Sequence, residues 1–351
     1  MFIHYYFKNK LYRKSQRNFL SDYSFIKSKK IDMTLSGRYL ADYSKINLNL
    51  KMIDKYPSHE EIEEFENIIK KDLRLNKEII IGSGANGLLQ NIIKILFIKK
   101  GNLVTPFYTF DQAEFAVTSF NGYTKRVYCD DYMINLNKIR KAIDNKTRMI
   151  YICNPNNPTG IYLDADEIIN FTNSTKIPVV IDESGIEFTN KKSILEMKEL
   201  PNNLIVLRSF SKAYGIANLR IGFLICSNYI KNKYLKNITT NEFSGISCSI
   251  AKDLYKNNNI SKNVSAITNE RKKIEKELKK LKIDLIKSDS NIIMTKTTFD
   301  NSFIEMLKEN DISVVPVYDE YNKLHIRIAI QDKKTNEIFI NKMKEIIKDK
   351  Y

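Results

Sequence analysis

The 351-residue chain has no apolar run that approaches membrane-spanning length, and its opening Met1-Phe2-Ile3-His4-Tyr5-Tyr6 passes into lysines without the apolar core of a secretion signal. Both absences lead to the expectation of a soluble, cytoplasmic protein. Histidine and cysteine are scarce. His4, His59 and His325 stand isolated, which suits surface or packing positions rather than a catalytic set. Cys129, Cys153, Cys226 and Cys248 are widely spaced, and three lie in or beside apolar strand-like runs. They read as reduced, buried thiols, and neither a disulfide framework nor a metal site is expected. Also missing are an internal repeat, a disordered linker and any helix-turn-helix, zinc or RNA-binding signature to accompany the net charge of +16. The lysines are spread along the chain among Glu, Asn and Ile, so the charge reads as compositional bias and no nucleic-acid partner is expected.

What is present is an apolar complement of 43%, enough to bury a large core in two closely associated lobes. Residues 1–45 are aromatic-rich, basic and poorly periodic, and read as an N-terminal arm that contributes to the smaller lobe. Ser58-His59-Glu60-Glu61 has a capping-box pattern and opens a helix through Ile68 and Ile69. From Glu78 onward, helical segments alternate with β-branched runs near 102–105, 125–129, 148–153, 178–182, 204–208 and 221–226. That alternation predicts an α/β fold, a mostly parallel sheet with helices on both faces, over a large lobe at 46–240. A charged helix from about Thr268 to Leu281 leads into a small α+β lobe, with 241–351 assigned to it. Strands are expected at 291–294, 312–316 and 324–330, and helices at 301–310 and from Thr335.

The chemistry concentrates after the strand-like Leu204-Ile205-Val206-Leu207, in Ser209-Phe210-Ser211-Lys212, with Arg220 eight residues beyond the lysine. A lysine at a strand end, flanked by hydroxyls and followed by an arginine, can form a Schiff base beside an anion. Taken alone, the four residues read more readily as a solvated loop. Three further segments precede it in chain order. Glu78-Ile79-Ile80-Ile81-Gly82-Ser83-Gly84-Ala85-Asn86-Gly87 leads from a strand into a helix, where small residues let backbone N–H groups close on a phosphate, although glycines also serve ordinary turns. Asn154-Pro155-Asn156-Asn157-Pro158-Thr159-Gly160 makes a tight turn out of a strand. Pro178-Val179-Val180-Ile181-Asp182-Glu183 ends a buried strand in two carboxylates, which elsewhere act as turn or cap residues.

Together these segments resemble the class I/II, fold-type-I aminotransferases that depend on pyridoxal phosphate, most closely histidinol-phosphate aminotransferases and threonine-phosphate decarboxylases. The resemblance runs from about residue 50 to the end and is most specific in the middle. It implies a seven-stranded type of large sheet, a smaller α+β lobe, and a homodimer. It also implies that Lys212 holds the cofactor as a Schiff base and shuttles protons, that Asp182 pairs with the pyridine nitrogen, and that Asn157 donates to the 3′-oxygen. Gly84, Ala85, Asn86, Ser209, Ser211 and Arg220 would cup the phosphate, and Tyr56 would reach the phosphate of a neighbouring subunit. Phe110 matches the aromatic that stacks on the ring, with Tyr108 as a rival. Arg327, alternating with apolar residues on a strand, matches the fork for a substrate carboxylate. Arg38 reads either as a holder of a substrate phosphate or carboxylate or as a solvent-facing arginine.

Departures from the pattern matter as well. Gly185 occupies the position of a tyrosine that bonds the 3′-oxygen, and loss of that donor raises the Schiff-base pKa. The N-terminal substrate segment is replaced by Leu35-Ser36-Gly37-Arg38-Tyr39-Leu40, and Ile312-Ser313-Val314-Val315-Pro316 lacks the arginine of the histidine-pathway enzymes. The resulting expectation is an aminotransferase moving an amino group from a donor such as glutamate to a small oxo compound, phosphorylated or not. The alternative is a threonine- or serine-phosphate type decarboxylase.

Overall fold

Between Glu78 and Cys226 the β-branched runs, alternating with helical runs, supply seven strands of one eight-stranded sheet. The structure is a computed structural model that describes residues 12–15, 31–35, 46, 53–238, 242–257 and 260–350. In chain order its first half comprises β1 (Tyr12–Ser15), β2 (Ile31–Asp32), α1 (His59–Asp72), β3 (Glu78–Gly82), α2 (Gly84–Leu96), β4 (Asn102–Pro106), α3 (Gln112–Ser119), β5 (Tyr123–Val127), α4 (Leu136–Ala142), β6 (Thr147–Cys153), α5 (Ala165–Asn173), β7 (Val179–Asp182), β8 (Leu204–Ser209) and β9 (Gly222–Cys226). There follow α6 (Asn228–Asn237), α7 (Gly245–Lys256), α8 (Ile260–Lys280), β10 (Ile292–Met294), α9 (Asn301–Glu309), β11 (Ile312–Ser313), β12 (Val315–Tyr318), β13 (Leu324–Ala329) and α10 (Lys333–Lys350).

The sheet order is β1-β5-β4-β6-β7-β8-β9-β3, with β5, β4, β6, β7 and β8 parallel to one another and β9 antiparallel to both its neighbours. The eighth strand is β1, which pairs antiparallel with β5 at one edge and comes from the N-terminal arm, where no strand is expected. Alternate residues of the central strands enter two separate cores. On β6, Ile150 and Ile152 join one cluster, and Met149, Tyr151 and Cys153 join the other. This is the period-2 alternation of a strand buried on both faces, and it explains why the parallel strands read as continuous apolar runs. Phe65 and Ile69 of α1, Ile139 of α4 and Ile168 of α5 cover the first face, and Leu88 and Ile92 of α2, Val117 of α3 and Ile230 of α6 cover the second. Cys248, Ile250, Ala251 and Leu254 of α7 also pack into the first cluster, so the core of the large sheet extends beyond residue 240.

A smaller unit carries an antiparallel sheet, β10-β13-β12, with α8, α9 and α10 over a third apolar cluster. Two expected elements differ in extent. Helix α8 begins at Ile260 rather than near Thr268, because Ile260, Val264 and Ile267 continue the helical spacing of apolar residues into Ile274 and Leu278. The strand expected over 312–316 divides at Val314. Ile312–Ser313 pairs in parallel with Ile31–Asp32 of the arm, whereas Val315–Tyr318 pairs with β13. Pro316, which has no N–H to give a ladder, is accommodated because β12 is an edge strand.

Candidate active site

The parallel strands β6, β7 and β8 end side by side, and the loops leaving them bring the sequence-nominated residues together, as expected at the carboxyl edge of such a sheet. Asp182 closes β7 and is 5% exposed. Its Oδ2 accepts from the Tyr151 hydroxyl at 2.9 Å and its Oδ1 from the Ser184 N–H at 2.9 Å, so the carboxylate is aimed before anything binds. Glu183 turns away. Its carboxylate accepts from Ser193 Oγ and the Ile194 N–H and lies 3.6 Å from the Arg208 guanidinium, an anchoring task that leaves Asp182 as the carboxylate of the site.

Asn157 sits in the turn after β6. That turn is held by Asn154, which exchanges hydrogen bonds with the Leu163 backbone, and by Asn156 Nδ2, which donates to the Tyr108 carbonyl. Asn157 Oδ1 accepts from Arg327 Nη1 at 3.2 Å, and Arg327 Nη2 also donates to the Thr34 carbonyl. Arg327 is 2% exposed on β13, so this contact ties the smaller unit to the turn. Lys212 follows β8, is half-buried, and has no hydrogen-bond or ion-pair partner among the described residues. Burial pushes the Cys153 thiol up to about 12; the Asp182 carboxylate adds to this and the Lys212 ammonium opposes it, so both charges act on one buried sulfur. Burial, reinforced by Asp182, holds the Tyr151 phenol well above its ordinary value, and the hydroxyl remains a donor.

The anion-binding end is built from the first turn of α2 and the loop after β8. Ser83, at the head of α2, makes no side-chain capping bond, which leaves the helix N-terminus open to a ligand. Gly84 has φ +72, and an added Cβ would lie 3.0 Å from Arg220 Nη2, so only glycine lets the guanidinium close over the helix start. Arg220 Nη1 donates to Ser211 Oγ at 3.3 Å, and Ser209 Oγ accepts from the Ser211 N–H at 3.1 Å. Asn86 Oδ1 is buried without a partner among the described residues, a polar atom left over by the protein itself. An open helix end, a guanidinium and two hydroxyls form a donor set that fits a phosphate monoester. Across the cluster, a half-buried amine and a pre-aimed carboxylate fit the aldehyde and ring nitrogen of pyridoxal phosphate.

Other nominated residues lie at different distances from this arrangement. Phe110 is half-buried beside the second core cluster at the end of β4. Its rival Tyr108 is engaged elsewhere: the hydroxyl donates to Glu320 at 2.6 Å and the ring packs edge-on against Phe107. Tyr56 is 84% exposed ahead of α1 and takes no part in the cluster's hydrogen bonds within one chain. Arg38 lies outside the described residues. Sequence reasoning missed Tyr151, although its place two residues before the end of β6, in step with Cys153, was a legible signal. It also missed Ser290 and Asn291, which come from a loop ahead of β10 to border the space at Gly185 beside Lys212 and belong to no local motif.

The family Aminotransferase class I and II matches residues 42–343. A histidinol-phosphate aminotransferase of Caldanaerobacter subterraneus subsp. tengcongensis is 30% identical over 279 residues, covering 77% of this chain and 78% of the relative. Among solved structures, histidinol-phosphate aminotransferase from Sinorhizobium meliloti, in complex with pyridoxal-5′-phosphate, superposes with a TM-score of 0.75 at 22% identity over 84% of this chain and 83% of its own. L-threonine-O-3-phosphate decarboxylase from Porphyromonas gingivalis superposes at 0.72 with 20% identity over 91% and 99%. At those identities the two structures share the fold.

Proposed function

Because the chain belongs to the class I and II aminotransferases and is a pyridoxal-phosphate enzyme of that class, we propose that it moves an amino group from glutamate to a small phosphorylated oxo compound. The observation that carries this reading is the pairing of a partnerless Lys212 with an Asp182 carboxylate already aimed by Tyr151 and Ser184. Lys212 would hold the cofactor covalently, Asp182 its ring nitrogen and Asn157 its ring oxygen, with Phe110 against the ring. Gly84, Ala85, Asn86, Ser209, Ser211 and Arg220 would hold the phosphate. Bound there, the cofactor supplies a sink for the electron pair released at the substrate Cα.

The protein's own residues supply the rest. Once the substrate amine has displaced it from the cofactor, Lys212 Nζ would take the proton from the substrate Cα and deliver it to the carbon that carried the aldehyde, acting as base and then acid. Arg327 receives the substrate carboxylate through a charge-assisted fork and so fixes which bond at Cα faces the lysine. Its bond to Asn157 links substrate binding to the turn that carries that residue. Arg38 is assigned to a second anionic group of the substrate. The exposed Tyr56 supports a homodimer in which it reaches the phosphate site of the second copy. No described helix is long and apolar enough to cross a membrane, and a cytoplasmic location remains part of this proposal.

A second reading, decarboxylation of a phosphorylated amino acid, is favoured by Gly185, which leaves an opening beside Lys212. One experiment separates the two. Loaded protein is mixed with glutamate while the cofactor absorbance and 2-oxoglutarate are followed. Stoichiometric 2-oxoglutarate with loss of the aldehyde-form absorbance supports amino transfer. Carbon dioxide from phosphothreonine or phosphoserine, with the absorbance unchanged by glutamate, replaces it with the second reading.

A further inference from the structure

The opening at Gly185 is not imposed by the backbone. Its φ of −132 is available to any residue. A Cβ built there would meet Ser290 Oγ at 3.6 Å, Lys212 Nζ at 3.7 Å and Asn291 Oδ1 at 3.8 Å, all ordinary contacts. Three polar atoms from two distant parts of the chain thus converge on one small space, and one of them is the amine on which the proposed chemistry depends.

The segment that delivers Ser290 is firmly held. Ser290 donates its N–H to Ser288 Oγ at 3.0 Å, and its carbonyl accepts from Arg271 Nη1 of α8 at 2.6 Å. Ser288 Oγ in turn donates to the Ile292 carbonyl at 2.5 Å, and the Asp289 N–H donates to the Gly160 carbonyl at 2.8 Å. Gly160, with φ +75, is the glycine that admits this segment, since a Cβ there would strike Ser288 Oγ. Ser290 is 4% exposed and Asn291 2%, and Ser290 Oγ donates to Asn291 Oδ1 at 3.0 Å. With its proton spent on Asn291, the hydroxyl keeps lone pairs to offer a cation across the space at Gly185, which the Lys212 amine also borders.

We propose that Ser290 is a positioning residue for Lys212: its hydroxyl, oriented by Asn291, faces the amine across the space left by Gly185 and sets both its direction and its readiness to carry a proton. The inference rests on the assignment of Lys212 as the cofactor-bearing amine. It gives the 288–291 segment a part in the chemistry that its burial and hydrogen bonds alone would not require.

The test follows the visible absorption of protein loaded with pyridoxal phosphate across pH, for the parent, Ser290→Ala, Gly185→Ala and the double variant. Cofactor retained after gel filtration is measured alongside. Removing lone pairs that face a protonated nitrogen weakens that form, so Ser290→Ala should lower the midpoint of the titration by about half a pH unit or more, roughly a threefold change in proton affinity. Gly185→Ala, whose methyl fits at contact distance between the amine and the hydroxyl, should move the midpoint the same way. The double variant should move it no further than the larger single change, as for groups acting on one interaction. An unmoved midpoint in Ser290→Ala, or shifts that simply add, overturns the proposal. If Ser290→Ala does not retain cofactor, an unmoved midpoint in Gly185→Ala overturns it alone. A parent protein that forms no visible band at all instead overturns the functional reading, and the proposal with it.

Discussion

At the scale of single residues, the anchoring of Asp182 is read most directly through Tyr151. Tyr151→Phe keeps the buried ring and removes one of the two bonds that aim the carboxylate. Hydrogen bonds to charged groups contribute about 1.5–3 kcal/mol, so kcat/KM should fall roughly ten- to a hundredfold. Steady-state kinetics with a glutamate donor check this, and an unchanged kcat/KM would mean that the tyrosine only fills space. The thiols give a second prediction. Burial pushes Cys153, Cys226 and Cys248 up to about 12 and also raises Cys129, so little thiolate exists near neutrality and all four sulfurs are out of reach. Native protein should resist iodoacetamide at these positions while denatured protein takes up four equivalents. Stoichiometric labelling of the folded protein, read by mass spectrometry, would contradict that burial. Lys212, Asp182, Asn157 and Arg220 were nominated from sequence because each sits in a short local segment at a strand end. Ser290 was not, because its relation to Lys212 exists only once the loop before β10 has folded across the turn that ends at Gly160.

The elements are tested where two of them meet. Gly160→Ala forces a side chain into positive φ and against Ser288, so both the turn and the 288–292 segment must shift. Strained backbone of this kind costs about 1–3 kcal/mol before the collision is counted, and a lower thermal midpoint is expected. A variant as stable as the parent would show that the contact yields without cost. On β5, one strand in from the edge of the large sheet, Lys125 reaches Asp144 at 2.6 Å. Partial burial alone would raise the Asp144 carboxyl, but the bonds from Lys125, Asn102 and the Lys146 N–H outweigh it and hold the group well below the usual carboxylate range. A carboxyl lowered in the folded state stabilises above its unfolded pKa of about 3.9 and loses that contribution as pH falls below it. Asp144→Asn should therefore weaken the protein at pH 7, with the difference from the parent shrinking in acid, as measured by chemical denaturation. A difference of equal size at pH 7 and pH 3 would contradict the ion pair. The parallel core strands were legible as β-branched runs. The division at Val314 and the early start of α8 were not, since the first depends on β2 arriving from the arm and the second on apolar spacing hidden among polar residues.

For the whole molecule, the alternation of elements announced the large sheet, its two helical layers and the edge at which the site forms. The limits of the lobes were harder to read. Composition gives no sign that α7, beyond residue 240, packs into the first core, nor that the arm gives β1 to one sheet and β2 to another. Such assignments depend on contacts between residues far apart in sequence, which periodicity cannot register. The account as a whole rests on the identity of one amine. Purified protein supplied with pyridoxal phosphate should develop a visible absorption band, borohydride should fix the cofactor, and peptide mapping should find it on Lys212, with the band lost in Lys212→Ala. A cofactor fixed to another lysine, or no band in the parent protein, would contradict the account at its centre.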